Sequence, residues 1–560
     1  MGPRVTRGRA LDAALVALLL LVGWFAWSRG AAPGDPALPS GTPAWAGFRD
    51  LLLDGPDAGR WAEQAIALGA GAFSRLDPHR LPTWTLLTVA VGRAWGLDVP
   101  LAGHLTNHLL QLGLGGLIYG LGRAARMGRG PAAAAALAVL LQPELRSGAT
   151  RFQVDVAVSV AWPAVLAAAL AGGRSPLGAA IAGAVAALGF TTHFTTIPCV
   201  VPAVVALVGA APPGRRLRAL GAFTLPFVGI AWAIHRVLPP MPLSLLLPSV
   251  MAGMVPIDQA HAPVAEPPLQ RVMDAVRLNG SVATTSALRW LGSTVSGGRV
   301  GGGWIVALMG LGALGPGLGG RPEVPRGWME RVPRAARLQA EWAARGVAAG
   351  GAVALALAPV PVLFLAGAPL RYANTFLPLV LLLVFRGLAG LGSAAAAAWG
   401  RLRPGARGSA AFGAVFAALF AIGTLAGRPS PSLAAIDADA ALMVEVGAAV
   451  RERYPPGSDV AAFVHEVSAA AGGLACPTPD CPTSTTDAAL ARCVDTLRAS
   501  CVGAADSVPY AVVVTRPRDD RFVTRTALDA YILARWTPFA TFEDDTLSVS
   551  LVAVPRRAGE

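Results

Sequence analysis

A few polar side chains in this sequence of 560 residues stand out by type and spacing. Asp50, Asp54 and Asp57 gather ahead of Trp61, and His79 and Arg80 stand just before Pro82. A carboxylate can take a proton, and a guanidinium matches two phosphate oxygens at once. Each also has a plainer use. Asp57, heading Ala-Gly-Arg-Trp, suits a helix N-cap. Asp50 and Asp54 read as solvated loop acids, and His79 with Arg80 as an interfacial pair reaching for headgroups. Further on, Asp155 follows Arg151 by four residues, which puts both on one helix face as a structural pair or as a second site carboxylate. Arg371, followed by Tyr372 at the head of an apolar run, can hold phosphate or simply anchor a span end. His193, within Thr-Thr-His-Phe-Thr-Thr, reads as a loop residue rather than a metal ligand. The sequence has no phosphate-binding G-x-x-x-x-G-K-[ST], no G-x-S-x-G nucleophile elbow and no H-E-x-x-H pair, so an ATPase, a serine hydrolase of that type and a zincin are unsupported.

What must position these groups is a membrane. The apolar fraction is 54% against 14% charged, a balance suited to a multi-span protein. A net charge of +13 raises nucleic acid as a partner, but the arginines fall in short clusters between apolar runs and form no continuous basic face. No lysine occurs, which coding bias explains as well as chemistry does. Arginine-rich short loops stay cytoplasmic, and eleven spans satisfy that rule: 11–28, 101–121, 131–145, 154–171, 177–193, 195–211, 219–238, 303–320, 347–366, 374–393 and 410–427. The N-terminal run is an uncleaved anchor, the N-terminus is cytoplasmic, and the C-terminus is outside an inner membrane. The stretch Leu81–Leu97 would break the parity if it crossed, so it is expected as an interfacial or re-entrant helix with Trp84 and Trp95 at headgroup level.

The organisation that follows is an anchor span (1–28), a first periplasmic loop (29–100), a multi-span domain (101–427) with an external loop at 239–302, and a tail (428–560). Helical patterns at Asp437–Arg453 and Asp487–Ala499 alternate in the tail with β-branched runs at Asp459–Val464, Tyr510–Thr515 and Thr546–Val554, which predicts a small periplasmic α/β domain. Four of the five cysteines, Cys476, Cys481, Cys493 and Cys501, lie there, and an even count in an exported domain predicts two disulfides. On one helix Cys493 and Cys501 stand about 12 Å apart in rise, too far to bond to each other. A four-thiolate zinc site is the rival, although the spacing lacks paired short knuckles. Cys199 reads as a small buried apolar residue.

The order of Asp54–Asp57 and Trp61, then His79-Arg80 before Pro82 and Trp84, then Asn107 and His108, Tyr119 to Arg123, and finally Arg371-Tyr372 with Pro378, resembles the GT-C superfamily of lipid-dependent glycosyltransferases, especially the protein-mannosyltransferase and aminoarabinose-transferase type. The resemblance covers the chain in outline through short, degenerate motifs. It departs where many members carry adjacent acids and this chain has Asp57-Ala58. It implies a GT-C-like polytopic helical fold and inverting transfer of a sugar from a polyprenyl-phosphate-type donor to a lipid, protein or glycan acceptor at the periplasmic face. Asp57 would be the base, with His79, Arg80, Asp155, Arg371 and Tyr372 around the donor phosphate and sugar. Cofactor use is unassigned, with a divalent metal left open. A transporter or lipid flippase is the alternative, which would show charged or helix-breaking residues at mid-membrane and two related halves. An inactive scaffold of the same fold is the third.

Overall fold

The computed structural model describes residues 3–30, 56–73, 76, 80–97, 99–149, 153–237, 268–296, 298–314, 332–365, 370–402, 442, 445–455, 458–462, 486–501, 506–515, 527–543 and 547–556. The first part is helical throughout: α1 (Pro3–Gly30), α2 (Pro56–Gly69), α3 (Thr83–Trp95), α4 (Val99–Ala124), α5 (Arg129–Leu141), α6 (Pro143–Ala149), α7 (Asp155–Gly172) and α8 (Pro176–Phe190). A 3-10 turn, Phe194–Cys199, leads into α9 (Val200–Ala210). There follow α10 (Arg216–Val237), α11 (Pro268–Ser296), α12 (Gly302–Leu314), α13 (Val332–Ala356), α14 (Pro359–Leu365), α15 (Leu370–Asn374) and α16 (Leu377–Leu402).

Among the described residues three helices are long and apolar enough to cross a bilayer, Asp155–Gly172, Arg216–Ile234 and Ala344–Leu365, and six more are apolar but shorter. The run expected at 131–145 ends as α5 at Leu141, because Pro143 cannot continue a helix and opens α6 instead. The segment 410–427 lies outside the described residues. Within the segment 239–302, expected as an external loop, lies the 29-residue helix α11, which was not foreseen. Its Ser, Thr and Arg content hid it from a hydropathy reading, yet it packs into the bundle. Trp290 donates to the Asn374 side chain at 2.8 Å, and Gln142 donates to the Thr294 carbonyl at 2.9 Å.

Small residues let the apolar helices approach closely, as is usual where lipid offers no hydrophobic drive. A methyl group on Gly183 of α8 would lie 2.0 Å from the Phe223 carbonyl of α10, so only glycine fits. Deep in the bundle Arg386 of α16 donates to the carbonyls of Gly312 (2.7 Å) and Gly346 (2.6 Å), tying α12 and α13 to α16. One apolar core runs from Trp61 and Trp84 through Trp162 to Phe376 and Phe385. At the end of the bundle where α4 finishes and α5 begins, Asp12 of α1 accepts from Tyr119 and from Arg129 (2.8 Å), with Arg123 at 3.7 Å.

The tail holds a four-stranded mixed sheet of order β1-β2-β4-β3, with β1 at Ala461–Ala462, β2 at Ser507–Thr515, β3 at Pro538–Glu543 and β4 at Leu547–Pro555. β1 runs parallel to β2, and the other two pairings are antiparallel. Helix α17 (Asp487–Ser500), a helix over 445–453, and α18 (Ala527–Arg535) supply apolar faces to the sheet. β3 and α18 were not foreseen. Cys493 is a free, buried thiol on the inner face of α17, which removes the two-disulfide expectation: there the residue packs as a small hydrophobe. Cys501 is disulfide-bonded, while Cys476 and Cys481 lie outside the described residues.

Candidate functional site

Helix α2 owes its placement to a stripe of Ala58, Trp61, Ala62 and Ala65, all buried at helical spacing. Pro56 is its first residue and Asp57 its second. Asp57 is therefore inside the first turn rather than at the cap, where a carboxylate still favours the positive end of the helix dipole. It stands one turn before Trp61, on the same face. Its side chain, His79, Asp50, Asp54 and Arg151 lie outside the described residues. The expected pairing of Arg151 with Asp155 therefore falls on a residue outside the described ones; α7 itself begins at Asp155.

Helix α3 is 13 residues, roughly 20 Å at 1.5 Å per residue and too short to span. It stops at Gly96, whose left-handed conformation (φ 65°) returns its N–H to the Gly92 carbonyl. Trp95 is 61% exposed, but Trp84 is 1% exposed and is no headgroup anchor. Its indole donates to the Asn107 side-chain oxygen at 2.8 Å, and the Asn107 amide donates to the Gln153 carbonyl at 3.0 Å. Thr83 is joined to Thr191 by a 2.7 Å hydroxyl contact, which holds the start of α3 against the end of α8.

Around this frame the sequence-selected residues converge. The Arg80 guanidinium, largely buried, lies 4.9 Å from the Trp61 ring, and the Gln64 side chain fixes the Arg80 carbonyl at 2.8 Å. Trp61 meets Trp84 edge-on at 5.6 Å and His193 at 6.4 Å. His193 in turn stacks on Tyr372 at 5.9 Å. The Tyr372 hydroxyl accepts from Arg371 at 3.2 Å. With the Gln153 amide oriented to satisfy both neighbours, it donates to Asp155 at 3.0 Å and accepts from Arg371 at 3.3 Å. Arg80, Asp155, Arg371 and Tyr372 thus belong to one constellation, at the end of the bundle where α7 begins and α8 finishes. Arg146 of α6 stands beside α15, which carries Arg371, and burial pulls its guanidinium below the ordinary value.

Gln153 and His193 are the members that residue-type reasoning missed. Gln153 carries no charge to betray it. His193 was visible only as a histidine in a threonine-rich turn. Among the described residues no three His, Cys, Asp or Glu side chains form a metal-binding group. Chemically the arrangement offers two guanidinium groups, each of a shape that matches phosphate oxygens, with a half-buried carboxylate and an aromatic wall.

No family model matches the chain, and no curated protein does. Among solved structures it is similar to ArnT from Cupriavidus metallidurans bound to undecaprenyl phosphate, at 16% identity and TM-score 0.45, covering 96% of this chain and 97% of that one. It is also similar to the archaeal oligosaccharyltransferase AglB from Archaeoglobus fulgidus in complex with an inhibitory peptide and a dolichol-phosphate, at 12% identity and TM-score 0.46, covering 90% of this chain and 69% of that one. A third likeness is to the Archaeoglobus fulgidus oligosaccharyltransferase tethered with an acceptor peptide, at 11% identity and TM-score 0.47, covering 98% and 76%.

Proposed function

We propose that the chain is a multi-pass inner-membrane glycosyltransferase that moves a sugar from a polyprenyl-phosphate-type lipid to an acceptor on the periplasmic side. The carrying observation is that Arg80 lies on the Trp61 ring, Trp61 meets His193, His193 stacks on Tyr372, and Arg371 on Tyr372 is linked through Gln153 to Asp155, all from segments far apart in sequence. In this reading Arg80 and Arg371, with His79, take the donor phosphate, and the Trp61 and Tyr372 rings line the sugar. Asp57, one turn before Trp61 on α2, removes the acceptor hydroxyl proton as the acceptor oxygen attacks the anomeric carbon. The bond from that carbon to the phosphate oxygen breaks, the phosphate leaves with the electron pair, and the two cations stabilise it. One attack gives inversion. Asp155, held by Gln153, orients the donor.

The test is purified protein in proteoliposomes with a radiolabelled polyprenyl-phosphate sugar. Label moving from lipid to a water-soluble or lipid acceptor supports the proposal. Movement of the intact donor across the bilayer without transfer would replace it with a flippase, and neither activity would leave a scaffold.

A further inference from the structure

We propose that His193 is a positioning residue: it holds the Tyr372 ring, and through it the Arg371 guanidinium, in the orientation that receives the donor phosphate. The inference rests on the transferase reading and deepens its phosphate subsite.

The imidazole, 7% exposed, is locked from below. The Thr195 backbone N–H donates to Nδ1 at 3.3 Å, and the Thr195 hydroxyl lies 2.9 Å from the same nitrogen. The Thr196 hydroxyl accepts from the His193 N–H at 3.3 Å and donates to the His193 carbonyl at 2.5 Å. Because Nδ1 accepts a hydrogen bond, the ring proton is assigned to Nε2. Capping alone does not account for a histidine, since Asn, Asp, Ser and Thr cap best and Asn is smaller. What the imidazole adds is a flat ring. That ring stacks on Tyr372 at 27° between planes and meets Trp61 at 42°.

Tyr372 is the next link. Its hydroxyl accepts from Arg371 Nη2, and the Arg371 guanidinium carbon lies 5.0 Å from its ring centre. A tyrosine freed from its stacking partner can turn about its side-chain bonds, and the guanidinium resting on it loses its seat. Arg371 then remains charged and keeps its Gln153 contact but loses the Tyr372 side of its support, which weakens phosphate binding while leaving the acceptor's base untouched.

Two substitutions separate the two roles. His193→Asn keeps a capping acceptor and removes the ring, whereas His193→Phe keeps a ring and removes the acceptor. Binding of undecaprenyl phosphate to the full-length protein in micelles should weaken about tenfold in His193→Asn, the scale of one misplaced charge-assisted hydrogen bond. Donor KM should rise in step, with kcat little changed. His193→Phe should bind nearly as the wild type and show its loss in thermal stability instead. If His193→Asn binds like the wild type, or both variants weaken alike, the positioning role is overturned. If the wild type binds no lipid phosphate, the transferase reading itself falls and takes this inference with it.

Discussion

The Trp84 indole donates to the Asn107 side-chain oxygen at 2.8 Å, and no water is needed to explain why two polar groups sit in an apolar core. Asn107 also serves Gln153, the residue whose amide lies between Asp155 and Arg371. Asn107→Leu therefore strips partners from the indole and from a backbone carbonyl together. We expect a loss of about 1–3 kcal/mol, the cost of leaving a buried polar group unsatisfied. Thermal unfolding in detergent reads it as a lower midpoint, and an unchanged midpoint would show that the contact is not structural.

Asp57→Asn should insert and fold, because Asp57 lies within the first turn of α2 and not at its cap. If it is the base, turnover falls about a hundredfold or more. Asp155→Asn, which keeps a hydrogen-bonding group for Gln153, should cost less in turnover and more in donor KM. The reverse pattern would exchange the two roles.

Arg371→Lys keeps the charge and loses the planar fork that meets Tyr372 and Gln153 together. Donor KM should rise about tenfold or more, in keeping with the loss of one charge-assisted hydrogen bond. Full activity in this variant would mean that a point charge suffices.

A reporter fused after Arg428 should be active only in its periplasmic form, because the arginine clusters favour a cytoplasmic N-terminus and an odd number of crossings. Cytoplasmic activity there would invert the proposed face of the site.

Cys493 should react with a thiol reagent only after unfolding, since it is free and buried against the sheet. Non-reducing mass mapping should find no link from it to Cys501. A Cys493 disulfide would contradict the packing of α17 against the sheet.

Much of the site could be read from residue types, because arginine, aspartate and tyrosine at the heads of apolar runs are conspicuous. Arg80, Asp155, Arg371 and Tyr372 were legible for that reason. Their junctions were not. Gln153 is neutral and works by the two faces of its amide, and His193 matters by stacking on a residue far along the chain. Trp84 misled because an aromatic ring near an apolar run suits an interface on average, while its own N–H had a buried partner in Asn107. Tail strands β1, β2 and β4 announced themselves by β-branched runs, while β3 did not. Helix α11 did not, since its polar content reads as loop until Trp290 and Thr294 are seen against the bundle.

The Arg80, His193 and Arg371 neighbourhood is composed from the front, middle and rear of the membrane part of the chain. During synthesis, the wall formed by Trp61, Trp84 and His193 leaves the ribosome well before Tyr372 does. A nascent chain stopped short of α15 therefore lacks Arg371 and Tyr372, and of the two guanidinium groups proposed for the phosphate it carries Arg80 alone. The contacts of Tyr372 with His193 and of Arg371 with Gln153 are thus among the last of the constellation that synthesis makes available.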